Sequence, residues 1–435
     1  MSLTHSTKIW DVIVIGGGPA GMTAAAEAAA LGASVLLLEK NPKLGKKLLI
    51  TGGGRCNVTN AETDTRTLLS KYKDAHKFLY SPFSQWNVTD TLTYFTSRGM
   101  AIKEENEKRI FPVSDTAQSV WDVLVAHMKE TGVRIRHTGV KQLKIVRGKV
   151  TAVQLVNGEE IQARTYIIAT GGTSHPETGS TGDAYAWLQK LGHTVHTPSL
   201  ALVPVALKDA WIKKLQGTTL SSIRISVLQN GKVYHKKDGR VLLTHFGITG
   251  PTILNLSSDI GELLKYGSVE LALDLFPTED YESFDKRVMG IIRTDANKKL
   301  KNVLATLIPS GATTAFMGLA NIPEDSVCNS VTRDERRRLT HILKKIPLTV
   351  SGLLGTDKAV VSNGGLDLHE VDTRTMQSRH HPTVFVIGDM LNIDRPSGGY
   401  SLQLCWTTGV VAGRAAAQLS LHPESHQTDA PKTKA

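Results

Sequence analysis

The sequence predicts an α/β fold: a parallel sheet, split along the chain, that carries an inserted β-rich module with helices nested inside it. Three observations lead there. Asp11 to Glu39 reads as strand, glycine turn, helix and strand. A second apolar strand, Val384 to Ile387, ends in Gly388-Asp389 near the other end of the chain. Between them, after Pro198, strand-like runs with turn signals, among them RVLLTHFGITGPTILNLS, replace the earlier pattern and suggest a small β-barrel or β-sandwich.

The first unit opens with the apolar run Val12 to Ile15, which suits a buried parallel strand. Gly16, Gly18 and Gly21 follow in GxGxxG spacing, then an Ala-rich helix from Met22 to Ala30, then a second apolar run ending at Glu39. Alone, the glycine spacing is weak evidence; with strand, helix and terminal acid all present it is specific. Gly16 allows a tight turn out of the strand. Gly18, lacking a Cβ, lets the backbone approach a pyrophosphate, and Gly21 lets the helix pack closely on the sheet. The helix start offers free N–H groups and partial positive charge to that pyrophosphate, with Pro19 and Ala20 beside it. Glu39 can accept hydrogen bonds from ribose hydroxyls and would repel a 2′-phosphate, so FAD or NAD is expected rather than NADP.

Lys43 to Asn60 comes next and is rich in glycines, cations and amides. Such a segment can wrap a nucleotide with backbone N–H groups. Cys56 invites a redox reading. Dithiol catalysis needs a second cysteine nearby and none follows, so a packing role is favoured.

Asn60 to Gly132 reads as helix and loop, with an amphipathic helix at Ser119 to Lys129. Val133 to Ile168 alternates in β-type runs with turns at Arg147-Gly148 and Asn157-Gly158, a β-meander. Ala169-Thr170-Gly171-Gly172 returns the chain to the nucleotide. The boundaries expected are a first nucleotide-binding part at 1–195, an inserted β domain at 196–276, a helical insert at 277–345, a β return at 346–361, and a second nucleotide-binding part at 362–421. The tail, 422–435, is polar and expected to be disordered.

Composition limits the function classes. No apolar run approaches the roughly 20 residues that span a bilayer. MSLTHSTKIW has no signal-peptide apolar region. Three cysteines, Cys56, Cys328 and Cys405, make no disulfide framework, and a cytoplasmic setting is expected. The net charge of +11 admits nucleic acid or an anionic substrate. A generally basic surface is the favoured reading: the clearest cluster, Arg333 with Arg336, Arg337 and Arg338, is interleaved with Asp334 and Glu335. RNA stays open, because basic flavoproteins that modify tRNA exist as a class.

GGGPAG, LEK and GKKLLITGGGRCNVTN, with ATGGTSHPETGSTGDAYAWLQKLGH and VFVIGDMLNIDRPSGGYSLQLCWTTGVVAGRAAA, resemble the BaiN-like flavoproteins. That family of NAD(P)/FAD-dependent oxidoreductases includes the aminoacetone oxidase-like enzymes. The resemblance runs from about Asp11 to Leu419. It implies a split Rossmann-like FAD-binding domain with β-meander, an inserted small β-barrel-like domain and a nested helical subdomain. It implies tightly bound, non-covalent FAD. The contacts it implies, together with the glycine turn and Glu39, are Lys40, Lys47, Gly53, Gly54, Arg55, Cys56, Asn57, Val140 against the adenine, Ala169, Thr170, Gly171, Gly388, Asp389 on a ribityl hydroxyl, Gly398, Gly399, Tyr400 and Gln403. A helix from about Leu402 is expected to follow Gly399, with its N-terminus toward the flavin pyrimidine ring, where it would stabilise the negative charge of the reduced flavin.

No catalytic triad, metal-ligand spacing or carboxylate pair is readable, as expected when the cofactor carries the difficult chemistry. Substrate-side candidates are His245, Arg395, His175 and Tyr400: an Arg can hold a carboxylate bidentately and a His can shuttle a proton. The expected activity is hydride transfer between flavin N5 and a small organic substrate held between the flavin and the insert. NAD(P)H is the expected donor and a transient co-substrate, since only one GxGxxG unit is present. The alternatives are an oxidase of small amines or aminoketones, a tRNA-modifying flavoprotein, and a non-catalytic FAD-binding sensor.

Overall fold

The computed structural model describes residues 8–355 and 361–423, apart from the side chains of 198–200 and 361–362. The chain divides into two compact units, one formed by residues 1–200 with 360–435 and the other by 201–359. Each has its own hydrophobic core. The expected tail lies, beyond residue 423, outside the described residues, as do 356–360 of the expected β return.

The first unit is built on a five-stranded sheet. Its order is Val384–Val386, Ala163–Ile168, Trp10–Ile15, Val35–Glu39, Arg134–His137. Every neighbouring pair is parallel. Val12, Ile13, Val14 and Leu37 are fully buried, as befits strands covered on both faces. The helix Pro19–Ala30 packs against the long helix Tyr400–Leu421. Their approach is close: a Cβ on Gly409 would stand 2.7 Å from Ala20 O, and one on Gly413 2.5 Å from Ala24 O. The Ala-rich and Gly-bearing faces are what let the backbones meet. The β-meander runs antiparallel through Val140–Val146, Lys149–Leu155 and Glu160–Ile161.

Two differences from the sequence reading appear here. Arg134–His137 belongs to the parallel sheet, not the meander, because the helix Ala117–Glu130 returns it beside Val35–Glu39. Ile102–Glu105 and Arg109–Pro112 pair with each other inside the stretch read as helix and loop. They are too short, and in one case too charged, to carry a period-2 signal.

The second unit is a closed six-stranded barrel: Val205–Leu207, Gly247–Thr249, Lys232–Leu243, Thr219–Gln229, Glu270–Asp274 and Ile346–Leu353. Helices Tyr281–Thr294, Leu300–Leu304, Thr313–Leu319 and Arg333–Lys344 come between its fifth and sixth strands. Residues 251–256, read as strand, begin a helix, Pro251–Leu264. Gly250, at φ +110°, ends the strand, Pro251 suits the first helical position, and Ile253, Leu256 and Ile260 face inward at helical spacing.

Candidate functional site

A single cleft in the first unit collects the chain's separated motifs. The space in it and in front of it is about 1200 Å³, open solvent included. Of the residues expected at a cofactor, Gly16, Gly18, Pro19, Ala20, Glu39, Lys40, Lys47, Val140, Ala169, Thr170, Gly171, Gly388 and Asp389 line it. The strand ends Ile15, Glu39, Ile168 and Val386 deliver these residues to one edge of the sheet, where open α/β sheets bind their ligands.

The glycine turn shows which glycines the protein needs for itself. A Cβ on Gly16 would lie 2.4 Å from Ala169 O, and one on Gly21 1.9 Å from Gly16 O. Both are demanded by packing. Gly18, by contrast, has φ −77° and nothing within 4 Å of a built Cβ. No protein atom requires glycine there, and the space in front of it opens on the cleft. The helix that begins at Pro19 has no side-chain cap, which leaves its first N–H groups without a side-chain partner.

Glu39, 8% exposed, braces this turn from below. Its Oε2 accepts from Gly17 N at 2.7 Å, and its Oε1 from Asn41 N at 2.7 Å and Asn41 Nδ2 at 2.8 Å. A carboxylate has about four acceptor sites, so capacity for a ribose hydroxyl remains. Asn41 Nδ2 also donates to Thr178 O at 2.9 Å, and Lys40 Nζ to Thr181 Oγ1 and Asp183 Oδ2, both at 2.7 Å. The loop Thr178–Asp183 is thereby fastened along the cleft.

At the other end Asp389 is held by two cations, Arg395 Nη2 and Lys47 Nζ, the latter 3.4 Å away. Burial raises the Asp389 pKa, but the Arg395 and Lys47 charges outweigh it and hold the group below the usual carboxylate range. Arg395 is 1% exposed; Nε donates to Ser401 Oγ at 3.0 Å and Nη1 to Ile393 O at 2.6 Å. With every face engaged inside the protein, Arg395 orients Asp389 and is not available to clamp a substrate. Ser401, Leu402 and Cys405 bring the start of the long helix to the cleft, and that start also lacks a side-chain cap. Burial pushes the Cys405 thiol up to about 12.

The TGGGRCN block behaves differently. Only Thr51 reaches the cleft. Arg55 stacks over Phe111 at 4.3 Å and pairs with Glu105 and Asp115. Cys56 is fully buried, and its thiol is pushed up to about 12, so it offers no thiolate at neutral pH. The Asn57 amide donates to Thr59 O at 3.0 Å and Ile110 O at 3.1 Å and accepts from Gly399 N at 2.9 Å. Asn60 Nδ2 donates to Gly398 O at 3.1 Å, and a Cβ on Gly399 would strike Thr59 C at 2.3 Å. Gly53, Gly54, Gly398, Gly399 and Gln403 lie outside the cleft lining: Gly398, Gly399 and Gln403 sit in a suture between this block and the helix start, and Gly53 is exposed, with open space in front of it and of Gly54. Gln403 is fully buried, bonded to Thr59, Thr91 and Thr407. Tyr400 is buried edge-on against Tyr72, whose hydroxyl donates to Tyr400 O at 2.9 Å. His175 sits at φ +55° with Nδ1 2.8 Å from Glu177 Oε1. His245 is exposed in the second unit.

The sequence reading missed Asn41, Thr138, Thr178–Asp183, Trp187 and Cys405 as cleft residues. The SHPETGSTGD glycines were the one available signal for the loop. A polar knot of His193, Glu370 and His380, none lining the cleft, brings possible metal-ligand atoms within 4.8 Å. The two imidazoles stack at 4.5 Å and 5°, so their in-plane lone pairs run parallel and do not converge on an ion.

The donors present fit FAD: a braced acid for a ribose, an uncapped helix start behind open space for a diphosphate, an ionised carboxylate for a polyol, and a second uncapped helix start beyond it. Among the described residues no helix is long and apolar enough to cross a membrane. A ribosomal RNA dihydrouridine synthase of Escherichia coli is 30% identical over 92% of this chain and 96% of its own length. A 3-dehydro-bile acid delta(4,6)-reductase of Clostridium scindens is 29% identical over 93% of this chain and 98% of its own. The solved 3-ketosteroid delta1-dehydrogenase of Sterolibacterium denitrificans shares the fold, with TM-score 0.53 at 14% identity over 94% of this chain and all of that one. The model of the HI0933-like protein Rossmann domain matches residues 10–415. The chain thus belongs to the HI0933-like family of FAD-binding Rossmann oxidoreductases.

Proposed function

We propose that this oxidoreductase is a reductase that uses NAD(P)H to saturate a carbon–carbon double bond conjugated with a carbonyl group. In the balanced reaction the donor gives a hydride, solvent gives a proton, and the acceptor gains two hydrogens across its double bond. The FAD, when bound, supplies the hydride relay. The chain's own residues bind and orient. Uncapped N–H groups after Gly18 hold the diphosphate, Glu39 the ribose, and Asp389 the ribityl hydroxyls. The helix start at Ser401 and Leu402 presents positive potential where charge accumulates on reduction. Tyr400 is packed behind that start as a support.

Gly18 is the observation that carries the cofactor half: a glycine with open space before it and no packing reason to be glycine. The acceptor half is supported by the relatives, whose names, a dihydrouridine synthase and a delta(4,6)-reductase of a 3-dehydro steroid acid, both describe saturation of such a bond. With one glycine-turn unit in the chain, the pyridine nucleotide reacts in the same cavity and leaves before the acceptor enters.

The test is an anaerobic titration with NADPH and then NADH, followed in the flavin band near roughly 450 nm. Bleaching, then anaerobic recovery on adding a conjugated enone, is expected. A band that persists with both nucleotides, and bleaches instead with an amine or aminoketone that yields peroxide in air, would replace the reductase by an oxidase.

A further inference from the structure

The second unit keeps its excess charge in one place. From Lys208 to Arg240 stand eight Lys and Arg against two acids, Asp209 and Asp238. From Val241 to Ala359 the charges balance, 14 against 14. Both acids of the basic stretch are engaged. Asp209 Oδ2 accepts from Thr349 N at 2.6 Å, and Asp238 pairs bidentately with Arg224 at 2.7 and 2.8 Å. Lys213, Lys214, Lys232, Lys236, Lys237 and Arg240 stay exposed, and among the described residues no carboxylate pairs with them. The Arg333–Arg338 cluster is different: Arg336 is bonded to Asp285 at 3.0 and 2.8 Å, and Arg338 Nε to Ala320 O at 2.9 Å.

The unpaired cations lie mainly on one hairpin. Thr219–Gln229 and Lys232–Leu243 turn at Asn230-Gly231, both with positive φ. The strand from Lys232 to Arg240 is bonded to a neighbouring strand on one side only, because Gly247–Thr249 reaches no further than Leu242 and Leu243. At about 3.4 Å per residue the basic strand extends about 27 Å. On it Tyr234 is 45% exposed, with Lys232 Nζ 5.4 Å from its ring centre. Lysines also protect a strand edge against self-association, but helix Pro251–Leu264 already lies along this one, with Arg240 N donating to Thr252 Oγ1 at 3.2 Å and His235 3.8 Å from Asp259; such protection concerns charges on the strand itself. It does not account for a single sign carried back to Lys213 and Lys214 in the 3₁₀ turn Ala210–Leu215. A lipid surface would need an apolar face beneath the cations, and only Val233 and Tyr234 are exposed large apolar groups on this hairpin.

We propose that this hairpin is a docking surface for RNA. The lysines and Arg240 neutralise backbone phosphates, and the Tyr234 ring stacks on a base left unpaired in a loop, the usual condition of recognised RNA bases. The inference deepens the reductase reading by giving its substrate a carrier. It is tested without electron donor, so the two can fail separately.

The experiment uses the full-length, FAD-loaded protein and a short fluorescein-labelled RNA stem–loop with a pyrimidine-rich loop, read by anisotropy between about 50 and 200 mM KCl. Combined Lys232→Glu, Lys236→Glu and Lys237→Glu should weaken binding by about 30-fold or more and flatten the logarithmic salt slope by about 2. Tyr234→Ala should weaken it by about 10-fold with the slope kept. Arg333→Glu with Arg337→Glu should leave it within about twofold, and all variants should keep their flavin. The proposal is overturned if the wild type fails to bind RNA at low salt, if the hairpin reversals bind like wild type, if the Arg333 and Arg337 reversals weaken binding equally, or if duplex DNA of the same length binds as tightly.

Discussion

The turn at Gly16–Gly21 and the loop at Gly52–Gly54 stand in the sequence as equals, two glycine-rich blocks a short distance apart. In the structure they do opposite work. The first lines the cleft and contains one glycine, Gly18, that no protein atom requires. The second turns through three successive positive φ values, 58°, 68° and 84°, and leads into Cys56 at 61°. It thereby delivers Asn57 and Asn60 to the Gly398-Gly399 backbone. One block lines the cleft and the other does not. Open space alone does not separate them, since a Cβ on Gly53 or Gly54 would meet as little as one on Gly18; the backbone does, Gly18 lying at φ −77°, which any residue adopts, and Gly52, Gly53 and Gly54 at positive φ.

Three substitutions break or sharpen that contrast. Gly21→Val has the largest expected effect: its Cβ would overlap Gly16 O, a backbone atom that cannot yield. A loss of about 4 kcal/mol or more is expected, read as absent soluble protein or a melting temperature about 10 °C lower. Asn57→Ala should cost about 2–3 kcal/mol, since three hydrogen bonds of a half-buried amide go at once, while folded molecules keep their flavin. Denaturant unfolding alongside flavin-to-protein ratio checks both halves; flavin loss without destabilisation would place Asn57 on the cofactor. Gly18→Val should have the smallest effect on the fold, within about 0.5 kcal/mol for flavin-free protein, and the largest on flavin retention. Full flavin occupancy in that variant would show that the open space at Gly18 holds something other than the diphosphate.

Much of this was legible because it is local. Strand, turn, helix and acid from Val12 to Glu39 lie next to one another, and periodicity with glycine spacing reads them directly. Gly388-Asp389 was legible as a strand end. Residues 251–256 were misread because a short apolar run fits a buried strand and a buried helix alike, and Gly250-Pro251 was the punctuation that decided it. The loop Thr178–Asp183 was harder. Its place on the cleft is set by the bond from Lys40 to Asp183, 143 residues apart. Arg395 shows a further limit: a lone Arg beside Pro396 suggests an exposed anion clamp, and only the fold reveals that it is buried against Asp389. The basic hairpin was hidden for the same reason. KVYHKKDGR is readable as charged, but which cations find carboxylates depends on what the fold brings near them.

The split sheet also orders events during synthesis. The strand Val384–Val386 and the helix Tyr400–Leu421 complete the first unit, and they are translated long after Trp10–Ile15. At about 5–20 residues per second the delay is roughly 20 to 70 s. The barrel unit, with its own core, is finished on the ribosome before the cleft exists. Until Gly409 and Gly413 arrive to cover Ala20 and Ala24, the first strands are an unfinished and apolar surface. In a nascent chain of this protein the apolar surface that waits longest for its cover is therefore the one made first.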